Sequence, residues 1–421
     1  MRIDRFEMER TQCMYENEVR YNISESGVLP FKVREILEGA GDPAAFLDLG
    51  LKYPQSNGSE LLRSRIAAWY EGATADHVLV TNGGSKANYT VFWGLLEKGD
   101  RAAIMIPNYL QAWGLGRIYG GASDPYRLVE RREGGRMRWA LDVDSLRSAV
   151  TRKTRLILVT NPNNPTGAVL TPEEMDEIVR AARRVNAWIV ADEIYRGAEL
   201  SGPLTPTFWG RYDKVLITSG LSKAFGLPGL RIGWITGPPK MVSKLWSYQD
   251  YTTLTPGALS DHLAAIVMEP ARRERVLDRT RAIVRRNLPQ LEKWIHTHDD
   301  IFSYIPPQAG AIATVGYDLP IRSAPLFDKL RRERSVLITP GAHFGIGKYI
   351  RIGYGYDIDK TLAALAQVDL TFDELQRQRP APGSSARSRI PASRASAGPR
   401  AHARRRISPA GSSRRAATGA K

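Results

Sequence analysis

Between residues 77 and 220 the chain repeats one pattern: a short apolar run, often β-branched, that stops at a polar turn carrying glycine, proline or asparagine. The runs are HVLV before TNGG, AAIMI before PNY, RLILV before TNPNNPTG, WIVA before DE and VLI before TSG. Runs this short between turn signals read as buried strands, with strands expected at 102–106, 188–191 and 215–217 and the last broken by Ser219-Gly220. Elsewhere the spacing is helical, as at Leu61, Leu62, Ile66 and Trp69, and in VREILEG near residue 35. Thr171-Pro172-Glu173-Glu174 has the residues that cap and open a helix. RLVERREGGRMR at 127–138 reads as a solvated hairpin or loop.

The second half changes character. SYQDYTTLTPGALSDHLAAIV begins a long helical run in which 251–256 is expected to join two domains. From about residue 281 a helix gives way to short strands in AIATVGYD, SVLITPG and YIRIGYG, and 358–375 reads as a closing helix. The expectation is an α/β chain with a smaller α+β domain that packs with the amino-terminal arm.

Composition narrows the classes. The chain has 421 residues, 43% hydrophobic and 25% charged, and can bury a large core. It has no apolar stretch of about 18 residues, so no membrane span is expected. MRIDRFEMERTQCMYENE lacks the apolar segment of a secretory signal, and Cys13 is the sole cysteine, so a cytoplasmic protein without disulfides is expected. The six histidines offer no ligand spacing for a metal, and HTHDD at 296–300 reads as a polar loop. The net charge of +16 resembles a nucleic-acid signal until it is located. Residues 377–421 hold eleven arginines, one lysine and no acid, so they carry +12 and leave +4 (16 − 12) for the rest. That segment, rich in Arg, Ala, Ser, Pro and Gly, is expected to be disordered, with weak, salt-dependent polyanion binding at most.

The candidate chemistry follows the strands. Lys223 comes just after a strand, at the sheet edge where open α/β sheets keep their ligands, and a partly desolvated lysine there can form a Schiff base. Arg231 follows a turn through Gly226, Pro228 and Gly229 and can share an anion with Lys223, with Ser219 and Ser222 as nearby hydroxyls. Gly83, Gly84 and Ser85 open a helix with free backbone N–H groups, a setting that favours a phosphate. Lys86 on that opening turn is the rival Schiff-base lysine. Asp192 at a buried strand end needs a cationic partner. Gly27 lies in a bend, SESGV, where backbone can approach a ligand, and Glu25 beside it is expected to select a cationic side chain.

The segments SGLSKAFGLPGLRIGW and NPNNPTG resemble the cofactor-lysine and asparagine signatures of the class I and II aminotransferases, fold-type I enzymes that use pyridoxal 5'-phosphate (PLP). The resemblance covers residues 20–376, with motifs in family order. It implies a PLP-dependent transferase fold type I, with an arm and part of the small domain at 1–45, a large PLP-binding domain with a mostly parallel central sheet at 46–280, a small domain at 281–376 and the tail at 377–421. Lys223 is then the Schiff-base lysine and proton shuttle, and Asp192 the partner of the pyridine nitrogen. Asn164 and Tyr195 face the ring oxygen, and Tyr109 stacks on the ring. Gly84, Ser85, Lys86, Ser219, Ser222 and Arg231 surround the phosphate, which Tyr53 of a neighbouring subunit completes in a homodimer with shared active sites. Arg351, Asn164 and the Gly27 amide receive the substrate carboxylate, and the loop TPGAHFG with His343 and Phe344 approaches substrate. The implied activity is amino transfer between an amino acid and a 2-keto acid. SESGV, LSKAFGLPGLR and DYTTL are also similar to PLP enzymes that eliminate or cyclise on an arginine-like amino acid, and that alternative stays open.

Overall fold

The structure, a computed structural model, describes residues 4–377, so the basic tail beyond Arg377 and its expected disorder lie outside the described residues. An eight-stranded sheet dominates. In sheet order its strands are Val78–Thr81, Gly233–Thr236, Val215–Gly220, Trp188–Asp192, Thr154–Thr160, Arg101–Ile106, Ala122–Glu133 and Arg136–Leu141. Six run the same way, while Gly233–Thr236 and Arg136–Leu141 run against them.

The apolar runs are continuous because the central strands are buried on both faces. Successive side chains point to opposite sides of a strand. Leu156 and Leu158 accordingly enter one core with Val91, Phe92 and Leu245, from helices Gly84–Leu95 and Pro239–Gln249. Ile157 and Val159 enter the other core with Ile66, Ile178 and Ala264, from helices Glu60–Ala67, Pro172–Val185 and Ala258–Val267. Thr171 caps the second of these as its residues suggested: its hydroxyl accepts from the Glu174 N–H, and the Glu174 carboxylate accepts from the Thr171 N–H at 2.9 Å. The hairpin reading of 127–138 also holds, with strands meeting at Gly134-Gly135, both at positive φ.

A four-stranded antiparallel sheet, Phe302–Tyr304, Ile312–Tyr317, Tyr349–Gly353 and Thr339–Pro340, organises a separate core with helices Ser323–Arg334 and Ile358–Arg377. Ile23 and Val28 of the arm lie in this core, and Tyr21–Asn22 pairs in parallel with Val336–Leu337. Ile36 instead packs in the large core.

The junction differs from the sequence expectation. Residues 251–256 do not join two domains: they link helix Pro239–Gln249 on one face of the large sheet to helix Ala258–Val267 on the other. The passage between cores happens inside the single 27-residue helix Pro270–His296, where Leu277 packs with the large sheet and Ile283 and Val284 with the small one. A helix can do this because side chains two turns apart face different neighbours without any break in the backbone.

A second difference is the strand Val215–Gly220, which runs on through Ser219 and Gly220. Gly220 is there for close approach, since a Cβ on it would stand 2.8 Å from the Ile232 carbonyl oxygen and 3.0 Å from Gly233 Cα. No helix among the described residues is long and apolar enough to cross a membrane, and no group of three or more His, Cys, Asp or Glu among them could hold a metal ion.

Gly220→Ala is expected to destabilise the protein by about 1–3 kcal/mol through overpacking against the neighbouring strand, measured as a lower urea midpoint at unchanged slope.

Candidate active site

The carboxyl ends of the central strands open into a cavity of about 540 Å³, within the usual range for small-molecule sites. Strand order brings its polar residues together. Thr160 and Asp192 end adjacent parallel strands, and Lys223 follows the next one.

Asp192 is held from two directions. Its Oδ2 accepts from Asn88 Nδ2 at 2.9 Å and its Oδ1 from the Ile194 N–H at 3.1 Å. Thr218 donates to Asn88 Oδ1 at 2.7 Å, which fixes the amide with its NH2 toward the carboxylate. Burial nonetheless pushes the Asp192 carboxyl up from its ordinary range, because two neutral donors replace water only in part. Sequence reading missed Asn88. Its one signal is an amide among the apolar residues of ANYTVFWGLL, one helical turn beyond Gly84.

Lys223 lines the same cavity. Burial pulls its pKa below the usual lysine value; Glu25 and Glu9 act against that, and Arg351 and Arg231 reinforce it. Gly27 packs directly on this lysine, since a Cβ there would meet the Ser222 carbonyl oxygen at 3.3 Å and Lys223 Cδ at 3.9 Å.

At the helix start, Gly83 has φ +94° and serves as N-cap, and Gly84 and Ser85 of helix Gly84–Leu95 line the cavity. Arg231 joins them from a left-handed backbone at φ 50°, its Nη1 donating to the Pro228 carbonyl at 2.9 Å and to Ser222 Oγ at 3.3 Å. A Cβ on Gly83 would collide with the Arg231 guanidinium. Free N–H groups, a helix dipole and a guanidinium thus converge on one spot, as an anion requires.

Asn164 also lines the cavity, is buried and accepts from Arg351 Nη1 at 3.1 Å. Arg351 itself is 1% exposed and stands one side chain behind the cavity, not among its lining residues. Its Nη2 donates to Thr339 Oγ1 at 3.0 Å and to the Ser24 carbonyl oxygen, its face lies 5.1 Å from the Phe344 ring, and its Nε has no partner among the described residues. Burial lowers the arginine's pKa, and the same burial with the adjacent Arg351 charge pulls His343 down to about 4. Tyr195 lines the cavity with no hydrogen-bond partner of good geometry for its hydroxyl, and burial pushes it up to about 12.

A wall that sequence reading missed comes from the arm. Phe6, Met8, Glu9 and Gln12, on and just before helix Glu7–Tyr15, line the cavity. Tyr109 donates to Glu9 Oε1 at 2.7 Å, and the Phe6 ring meets the Tyr109 ring edge-on at 4.9 Å. The segment is mostly polar, so nothing in its spacing announces a cavity wall.

Other expected residues stand elsewhere. The Lys86 amine lies 4.9 Å over the Tyr89 ring and is not in the cavity wall. Ser219 donates its hydroxyl to the Glu193 carbonyl at 3.2 Å and does not line the cavity either, because the strand continues through it and turns its side chain inward. Tyr53 is 81% exposed, on a surface cleft with Pro256 and Leu259.

This donor set fits PLP. The Asp192 carboxyl, raised for want of a cation, suits a protonated ring nitrogen, the unpartnered Tyr195 hydroxyl suits a ring oxygen, and the Gly83–Arg231 cradle suits a phosphate.

Residues 25–368 match the family model for aminotransferase class I and II. The chain is 30% identical over 358 residues to capreomycidine synthase of Streptomyces vinaceus, covering 83% of this chain and 90% of that one. It is 27% identical over 346 residues to an aspartate aminotransferase of Streptomyces avermitilis, covering 77% and 82%. Among solved structures it is similar to a PLP-dependent aminotransferase from Streptococcus suis, with a TM-score of 0.81 at 29% identity over 89% of this chain and 99% of that one. It is likewise similar to the PLP-dependent cyclase OrfR, with a TM-score of 0.79 at 26% identity over 89% and 98%. Since the family match spans the strands, the cradle and the lysine segment alike, the chain belongs to the class I and II aminotransferase family, whose fold is PLP-dependent transferase fold type I and whose cofactor is PLP.

Proposed function

We propose that the protein is an aminotransferase that moves an amino group between an L-amino acid and a 2-keto acid, with Lys223 as its catalytic base. The observation that carries the reading is one cavity lined by a buried lysine with a depressed pKa, a strand-end carboxylate fixed by Asn88, and Asn164, with Arg351 bonded to it from behind. When bound, PLP supplies an electron sink for the charge left when the substrate Cα loses a proton. Asp192 keeps the ring nitrogen protonated by presenting a negative charge to it. The Lys223 amine, free of its proton at lower pH than an exposed lysine, takes the Cα proton and delivers it again as acid. Asn164 offers its amide NH2 to the substrate carboxylate from the cavity wall, and Arg351, bonded to the Asn164 oxygen from behind, fixes that amide and adds positive charge at this end. Tyr195 offers its hydroxyl proton from the same side. Gly84, Ser85, Ser222 and Arg231 hold the phosphate.

We also propose a homodimer in which Tyr53 reaches the neighbouring copy's phosphate. Its exposure, with Leu51, Tyr251, Leu254 and Leu259 also exposed, supports an apolar face that a second copy covers.

A second reading, elimination or cyclisation on an arginine-like amino acid, is favoured by the likeness to capreomycidine synthase and to the cyclase OrfR. Both reactions begin with the same proton transfer at Lys223 and diverge in what leaves next.

Mass analysis of the PLP-loaded enzyme with each amino acid and a 2-keto acid separates them. Equal amounts of a new amino acid and a new keto acid are expected. A product formed without keto acid, with loss of ammonia or water, would replace this reading by the second. Lys223→Ala is expected to lower turnover by at least about 100-fold, the scale of general acid–base catalysis, while cofactor still binds non-covalently, checked by absorbance after gel filtration.

The pH dependence has a sign. Glu25 raises the Lys223 pKa, so Glu25→Gln lets the amine lose its proton at lower pH. In the apo-enzyme the acid limb of covalent PLP capture, followed by absorbance, is expected to move to lower pH in Glu25→Gln; a move to higher pH would contradict the assignment.

A further inference from the structure

Residues 6–12 lie outside the segment that matches the family model, yet they build one side of the cavity. What they bring is charge. Two acids at the start of the arm have cations: Asp4 pairs with Arg117 at 2.5 Å and Glu7 with Arg5 at 3.4 Å. Glu9 and Glu25 pair with no Lys, Arg or His among the described residues, although both are half-buried. Glu9 spends its Oε1 on the Tyr109 hydroxyl, which orients the carboxylate and leaves Oε2 without a partner among the described residues. A half-buried carboxylate answered by one neutral donor is incompletely compensated.

The surroundings narrow what would complete it. Gln12 donates its amide NH2 to Ser24 Oγ at 3.3 Å, so its carbonyl oxygen is a further acceptor on the same helix face. Phe6 and Tyr109 contribute aromatic rings beside the carboxylate. Acceptors flanked by aromatic faces suit a flat cation with several N–H donors. A dicarboxylic substrate meets the reverse situation. The arginine in the cavity wall, Arg231, belongs to the anion cradle, and Arg351 stands behind Asn164, so among the described residues of this chain a distal carboxylate would face Glu9 with no further cation to receive it.

We infer that this enzyme selects an amino acid with a guanidinium side chain, and that Glu9, carried by the arm helix, is the residue that reads its charge, with Glu25 adding to the field. The inference rests on the proposed amino-acid chemistry at Lys223 and names the substrate class for it. Glu25 and Glu9 both act on Lys223 and Arg351, so their charge is felt where the α-amino and α-carboxylate groups of a substrate would be. The selecting group therefore reaches the substrate from the arm, while the groups that do chemistry come from the sheet.

The test is an equilibrium absorbance titration of the PLP-loaded enzyme with L-arginine, L-citrulline, L-lysine and L-aspartate. Citrulline has the shape of arginine without its charge. Arginine is expected to bind at least about tenfold more tightly than citrulline, with lysine between them and aspartate weakest. Glu9→Gln is expected to collapse the arginine-to-citrulline ratio toward one, with the cofactor absorbance unchanged as proof of an intact site. Glu7→Gln, two residues earlier on the same helix and outside the cavity lining, is expected to leave the ratio as it was. Equal binding of arginine and citrulline, a ratio that survives Glu9→Gln, lysine as tight as arginine, or aspartate tightest would each overturn the inference while leaving the amino-acid chemistry standing. A spectrum that responds to no amino acid would overturn that chemistry and the inference with it.

Discussion

A carboxylate placed at the end of a doubly buried strand has to be compensated, and much of this site is arranged around that requirement. Asp192 ends one of the two central strands of the sheet, and the chain answers it with Asn88 from a helix and the Ile194 amide from the following turn. Thr218, on the adjacent strand, fixes Asn88 in turn. The compensation is partial, which keeps the carboxyl pKa raised and leaves a place for a cation. A fully paired aspartate would be a structural ion pair with nothing left to offer a ligand.

Strand order converts that local requirement into a site. Parallel strands place their carboxyl ends on one edge, so Thr160, Asp192 and Lys223 arrive side by side although the sequence separates them. The helix after Val78–Thr81 brings its amino-terminal N–H groups to the same edge, and Arg231 reaches it because its backbone turns left-handed. Anionic and cationic demands are therefore segregated: the helix start and Arg231 at one end, Asp192 beneath, and Glu9 and Glu25 toward the arm.

The small core serves the site indirectly. Arg351 is anchored by Thr339 and Ser24 on that side, and among the described residues its hydrogen bond toward the large sheet is the one to Asn164. The arm ties into both cores, with Ile23 and Val28 in the small one and Ile36 in the large one. In the proposed reading, substrate selection from the arm and proton transfer from the sheet are carried by separate elements, so one can vary while the other is kept.

The sequence by itself determined the strands, the lysine turn, the asparagine loop and the family, because short apolar runs and glycine- or proline-marked turns are local signals that packing cannot easily override. It placed Asp192, Lys223, Asn164 and Arg231 near one another through strand ends and family motifs. Tertiary structure decided what depends on contact between distant segments. Asn88 became a partner of Asp192 only because its helix crosses that strand end, and Ser219 turned to the Glu193 carbonyl because the strand did not stop where its glycine suggested. The change of cores fell inside one uninterrupted helix, invisible to any turn signal. The arm helix was the least legible element: a polar stretch has no periodicity that says which cavity it will close, and Glu9 acquires its meaning from Tyr109, 100 residues away.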